Sequence, residues 1–143
     1  MEKLNYTLKP GDEIVLPKSN FLIINHHALY VGFDKKGIEW IIENNANSGV
    51  RLIPAPQFFC SYPFIKIINI FKGTPLEKQK LLKKALASVG KSYDMFFYNC
   101  EHFTSEILTG RPISKQIENL KEGLQFAAGV TLVLGFFNLL FND

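Results

Sequence analysis

The sequence predicts an α+β domain, an antiparallel β-sheet packed against helices, with an apolar helix at its C-terminal end. Three observations carry this. Short runs of strand formers separated by turn signals fill the first half, up to residue 71. The apolar period then changes from two to about 3.6 at residue 74. Finally, residues 124–141 carry no charge at all. Strands first and helices later favour an α+β arrangement over a wound parallel sheet.

In chain order, Pro10-Gly11-Asp12 is a turn signal ahead of a short strand over 13–16, which Pro17 stops. Residues 21–33, FLIINHHALYVGF, form the next strand. Period two sets His26, Ala28 and Tyr30 on one face and His27, Leu29 and Val31 on the other. After the turn at 34–37, the strand over 38–43 puts Ile38, Trp40 and Ile42 opposite Glu39, Ile41 and Glu43. A loop over 44–49 leads to a strand over 50–53, which Pro54 and Pro56 break. The last strand candidate is 64–71.

Thr74-Pro75-Leu76-Glu77 then spells a capping box with proline at the first helical position. Leu82, Ala85, Leu86 and Val89 follow at helical spacing, and Gly90 marks the stop. Asn99 is a good N-cap for a second helix, with Tyr98 and Phe103 spaced as a hydrophobic staple and Gly110 at its end. Ile113, Ile117 and Leu120 suggest a third, amphipathic helix after Pro112.

Composition bounds the function. The chain has 143 residues, 47% apolar and 20% charged, with thirteen Phe. That suits one domain with a real core and excludes a disordered segment. A net charge of +3 with scattered basic residues argues against a nucleic-acid partner. Two cysteines, Cys60 and Cys100, exclude a disulfide scaffold. With no apolar stretch near the N-terminus to read as a signal peptide, they point to a reducing compartment. All 16 basic groups lie within residues 1–122, which carry 12 acidic groups and a net +4. Residues 123–143 hold a single acid, Asp143. The chain accordingly divides into a catalytic or binding domain over 1–122 and an apolar helix over 123–143.

Cys100 is the chemically informative residue. At the first position of a helix, a thiolate is favoured by the partial positive charge of the helix end, and the unpaired N–H groups suit an oxyanion. The alternative is a buried structural thiol. Cys60 lacks any such setting and reads as a packed thiol. A thiol nucleophile is activated by an imidazole. His102 diverges from Cys100 by about 200° around the helix, which makes it a helix-start or packing residue. That leaves His26 or His27, only one of which can serve because they face opposite sides of the sheet. No Cys-x-x-Cys or His-x-x-x-His spacing suggests a metal, and no glycine-rich phosphate loop suggests a nucleotide cofactor.

Asn99-Cys100-Glu101-His102-Phe103 reads NCEHF, His26 to Gly32 reads H-x-A-L-Y-V-G, and Pro10-Gly11-Asp12 stands upstream. Together these segments resemble the lecithin:retinol acyltransferase-like family, which includes the phospholipase/acyltransferases related to the H-Ras-like suppressors. That family belongs to the circularly permuted branch of the NlpC/P60 papain-like thiol hydrolases. The resemblance covers about residues 8–111. It implies that Cys100 is the nucleophile and His26, six residues before Gly32, the catalytic imidazole. His27 falls where the family often has an aromatic residue. The family's third polar residue follows two apolar residues on the next strand. That makes Glu43 the candidate here, a departure from the His of the animal members, with Asn44 and Asn45 as rivals. Tyr30 lies on the His26 face, near the site or simply packed.

The function implied is acyl transfer from a glycerophospholipid through a thioester on Cys100, to water or to an alcohol or amine, with no cofactor. Two other readings stand beside it, an NlpC/P60-like cysteine peptidase or amidase and a non-catalytic membrane-associated module. Residues 124–141 would span ~27 Å as a helix, against a bilayer core of about 30 Å. They are expected to associate with a membrane, as a full span or an interfacial anchor, leaving the domain on the cytoplasmic side. Thr131 and Asn138 weaken the run and share one helical face. Lys115 and Lys121 lie just upstream.

Overall fold

The computed structural model describes residues 7–18 and 25–141, with side chains up to residue 131. Residues 21–24 of the expected second strand, and the side chain of Asn138, lie outside the described residues. The chain divides into two compact units, Met1–Ile113 and Ser114–Asp143.

The first unit is built on five strands. They are β1 (Glu13–Pro17), β2 (Asn25–Phe33), β3 (Glu39–Asn45), β4 (Gly49–Pro54) and β5 (Ile67–Asn69). They form one sheet in the order β4-β3-β2-β1-β5, and every pairing is antiparallel. The unit's helices are α1 (Ala55–Ser61), α2 (Pro75–Ala87) and α3 (Cys100–Thr109). The α+β class with an antiparallel sheet therefore stands.

Period two divides the core as the strand pattern requires. Ala28, Tyr30 and Ile41 join Ile14, Leu16, Ile53 and Phe58 in one buried cluster, on the α1 side of the sheet. Leu29, Ile42 and Val50 join Leu81, Ala85, Phe103 and Ile107 in the other, under α2 and α3. Each face of the sheet is thus closed by its own helical layer.

The Pro-Gly-Asp turn is locked onto β2. Gly11 N–H donates to the Tyr30 carbonyl at 2.8 Å and Tyr30 N–H to the Asp12 carbonyl at 2.9 Å. Gly32 has φ +100°, and a Cβ there would meet Pro10 Cγ at 2.8 Å. Two of the sequence segments that stand far apart in the chain are therefore one packing unit, with a proline seated where a side chain is missing.

Helix starts follow the capping signals. Thr74 and Glu77 form the reciprocal capping box of α2, with Pro75 at its first position. Asn99 caps α3, and Gly110 ends it in the left-handed region at φ +81°. Tyr98 packs against the cluster that contains Phe103, as a staple should.

Several expectations are corrected. Residues 55–61 are a helix, α1, where Pro54 and Pro56 suggest only a break. Proline in the first turn lacks an N–H that the helix would not use there, so it starts a helix as readily as it stops a strand. The strand expected over 64–71 is reduced to Ile67–Asn69, an edge strand whose Ile67 is exposed. Cys60 is exposed rather than packed.

In the second unit, the amphipathic and apolar helices expected to be separate are one helix, α4 (Lys115–Phe141). Its start is marked by Ser114, whose carbonyl accepts from Glu118 N–H at 3.0 Å. Leu124, Phe126 and Val130 are exposed. Among the described residues no helix is long and apolar enough to cross a membrane. The spanning anchor expected over 124–141 is therefore not supported.

Candidate functional site

Cys100 is the first residue of α3 and is buried. Asn99 sets its position. The Asn99 side-chain oxygen accepts from the N–H groups of Glu101 and His102, both at 3.0 Å, and its carbonyl accepts from Phe103 N–H. His102 completes the cap, since its Nδ1 accepts from Asn99 N–H at 3.3 Å. The helix-start role read for His102 from its angular position is what the geometry gives. Capping also narrows the expected oxyanion site. Two of the helix-end N–H groups are taken, and the Cys100 N–H is the donor the cap does not engage.

The sulfur lies where β2 begins, with the Cys100 thiol directed at the Asn25 carbonyl at 3.9 Å. His26, next along β2, is almost wholly buried. Its ring stacks on Tyr62 at 4.7 Å between centroids and lies 6.1 Å from Phe58. Both aromatics come from the α1 segment, so the unanticipated helix supplies the wall that orients the imidazole. His26 Nε2 meets Glu43 Oε2 at 2.5 Å. A carboxylate only accepts, so Nε2 carries a proton and donates. That leaves Nδ1 as the basic nitrogen of the neutral ring, buried and without another well-aligned partner. Nδ1 is thus the atom available to the thiol.

Glu43 is completely buried on β3. Its second oxygen, Oε1, accepts from Arg51 Nε at 2.8 Å and from Arg51 Nη2 at 2.7 Å. The resulting chain runs from Arg51 through Glu43 to His26. Of the three positions weighed after the apolar pair, Glu43 alone meets the ring. Asn44 points elsewhere, donating to the Tyr98 carbonyl at 2.7 Å. Asn45 accepts from Asn47 N–H in the hairpin turn. Arg51 and Tyr62 are the two residues that sequence reasoning missed. Arg51 was readable in principle, because the hairpin register pairs it directly with Glu43. No local signal marks Tyr62, which reaches the ring only through α1. Tyr30 is a packed aromatic whose hydroxyl donates to Glu39 at 2.7 Å.

The electrostatics are those of an ion pair. Burial by itself would raise the Cys100 thiol. The hydrogen bond and charge of His26, the His27 backbone N–H and the His27 charge outweigh it and bring the thiol below its usual range. Burial would lower His26, but its bonds and charge interactions with Cys100 and Glu43 raise it above the ordinary histidine value. Burial likewise opposes ionisation of Glu43, whose bonds to His26 and Arg51 keep it ionised below the usual carboxylate range. Such a set stabilises a thiolate beside an imidazolium.

His27 faces the other way, as period two requires. Its Nδ1 meets Glu13 Oε1 at 2.9 Å. Among the described residues no cluster of His, Cys, Asp or Glu is disposed to hold a metal ion.

No family model matches the chain. Among curated proteins, Phospholipase A and acyltransferase 5 of Rattus norvegicus is 29% identical over 143 residues, covering 88% of this chain and 48% of its own length. The protein of the same name from Mus musculus is 29% identical over 139 residues, covering 85% of this chain and 49% of its own length. The chain thus spans about half the length of the curated relatives it matches. In these relatives and in its NCEHF and H-x-A-L-Y-V-G segments alike, the chain is similar to the lecithin:retinol acyltransferase-like family.

Proposed function

We propose that the chain is a thiol-dependent acyltransferase or phospholipase that removes an acyl group from a glycerophospholipid through a thioester on Cys100. The observation that carries this reading is the alignment of a helix-capped cysteine with the His26–Glu43 pair at 2.5 Å. The relatives' names support the substrate class. So does an apolar turn directly before the nucleophile. Met95, Phe96 and Phe97 are exposed there, Phe97 by 76%, beside a reaction centre that has to receive a lipid ester.

In the first half-reaction His26 Nδ1 holds the proton released by the Cys100 thiol. The thiolate attacks the ester carbonyl carbon, forming a C–S bond and placing negative charge on the carbonyl oxygen. The Cys100 N–H at the helix end is the donor for that oxygen. Collapse breaks the C–O bond, and the His26 imidazolium delivers its proton to the departing lysolipid oxygen. In the second half, His26 Nδ1 takes a proton from water, an alcohol or an amine as that acceptor attacks the thioester. The thiolate then leaves, and the starting state returns. Glu43 holds the ring by its Nε2–H throughout and balances the imidazolium charge, with Arg51 fixing the carboxylate. The fold this implies is the permuted papain-like one, and the apolar part of α4 is assigned to lipid contact at the bilayer interface.

Intact-protein mass spectrometry after exposure to phosphatidylcholine vesicles tests the reading. Wild-type protein should gain the mass of one acyl chain less a hydrogen, labile to hydroxylamine, and Cys100→Ala should gain none. Lack of an adduct across phospholipid classes, with turnover of a peptide or amide substrate instead, would replace it with the amidase reading.

A further inference from the structure

His27 is a buried ionisable group that the mechanism above does not use. It occupies a position where the family resemblance leads one to expect an aromatic side chain, and it has been given a dedicated carboxylate. Glu13 Oε1 meets His27 Nδ1 at 2.9 Å and accepts from the Thr104 hydroxyl at 2.7 Å, while Glu13 Oε2 accepts from Asn69 Nδ2 at 2.7 Å. Thr104 lies four residues after Cys100, on the same face of α3. The carboxylate on β1 therefore ties the His27 ring to the helix face that carries the nucleophile. The Cys100 thiol itself is directed at the Asn25 carbonyl, two residues before His27 on β2.

We propose that His27 is a positioning residue for the acyl-transfer centre, a second imidazolium that supports the Cys100 thiolate from the α3 side of the sheet while His26 pairs with it from the α1 side. The inference rests on Cys100 being the nucleophile of the proposed function.

The groups facing the ring set its charge. From β1 comes Glu13, whose burial opposes its charge but which is held ionised first by its bond to His27 and then by those to Asn69 and Thr104. From α3 come Cys100, Glu101 and Thr104, and from β5 comes Asn69. The neighbouring His26 is the other cation. Burial pulls His27 down, but the bond and charge of Glu13, then the charges of Cys100 and Glu101, raise it above the usual histidine value. Because Glu13 is an acceptor, Nδ1 keeps its proton, and the titrating atom is Nε2. Protonation at Nε2 completes a buried cation beside a sulfur that gains from one. Two imidazoles on opposite faces of one strand thus act on a single thiol, because Cys100 sits at the strand's starting end rather than over either face.

The test reads the sulfur and needs no lipid substrate. The rate of Cys100 alkylation by iodoacetamide is followed against pH, with Cys60→Ser as background. In His27→Gln, which keeps a donor for Glu13 but loses the charge, the thiol's acid-side profile should move to higher pH, with rates about threefold to tenfold lower there. Glu13→Gln should move it the same way. Thr104→Val, which removes a bond without altering charge, should leave it in place. In the wild type, the His27 ring should remain protonated, by NMR, across the pH range in which Cys100 ionises. An unshifted profile in folded His27→Gln, an equal shift in Thr104→Val, or a neutral His27 ring across that range would overturn the proposal. Failure of the acyl-transfer reading would show instead as an acidic, His27-dependent thiol that forms no acyl adduct.

Discussion

Glu43 is buried without any exposure, and it is ionised because it is bonded on both oxygens. An uncompensated buried carboxylate would instead neutralise. Its charge works outward through His26. Glu43→Gln keeps the volume and an acceptor oxygen but removes the charge that raises the imidazole. The sign follows directly. The thiolate–imidazolium pair is populated above the lowered Cys100 value and below the raised His26 value, so the pH–rate profile for acyl transfer should be bell-shaped. In Glu43→Gln the alkaline limb should retreat to lower pH. The maximal rate should fall by roughly 10²–10⁴, the range typical of losing a positioned acid–base group. A steady-state pH profile on a soluble thioester or ester checks both. An alkaline limb that stays in place would detach Glu43 from the proton inventory of His26.

At the scale of elements, the site depends on β2 being anchored at both ends. At its far end, Pro10 fills the space over Gly32, whose φ of +100° already disfavours any side chain. At its near end lie His26 and the sulfur. Gly32→Ala adds a collision at 2.8 Å to the backbone strain, whereas Gly37, at φ +76°, has open space around its Cβ position. Both substitutions should destabilise. Gly32→Ala should cost the more, beyond the ~1 kcal/mol expected of alanine at positive φ. Urea unfolding of the two variants makes the comparison, and equal losses would mean that Pro10 simply moves aside. The same scale explains the missed helix. Proline at the start of α1 is compatible with a strand end and with a helix start, and only the burial of Ala55 and Phe58 against the sheet chooses between them.

For the whole molecule, the relevant fact is the exposed apolar turn of Met95, Phe96 and Phe97 just before α3. Asp94 Oδ1 accepts from Phe96 N–H and Phe97 N–H, each at 2.9 Å, and Asn99 Nδ2 donates to the Met95 carbonyl at 3.1 Å. The apolar turn is therefore hydrogen-bonded to the cap of α3. If the turn meets a lipid surface, its loss should affect interfacial turnover alone. Replacing Met95, Phe96 and Phe97 with Ser should lower activity on phosphatidylcholine vesicles at least several-fold, with little change on a short-chain soluble ester. Equal loss on both substrates would assign the turn to folding of the site.

Much of this protein is decided by neighbours in the chain. The capping box at Thr74, the Asn99 cap, the Gly110 stop and the alternation along β2 are local, because a cap or a pleat is settled within four residues. That locality places Cys100 at a helix start and puts His26 and His27 on opposite faces before any fold is known. Three-dimensional packing decides the rest. Arg51 meets Glu43 through strand register, Tyr62 meets His26 through α1, and Glu13, 91 residues before Thr104, joins that residue to His27. Hairpin register makes the first of these readable in principle, but the other two leave no periodic trace in the sequence. They depend on which faces are buried together, and burial is what turns separate ionisable side chains into one coupled charge system.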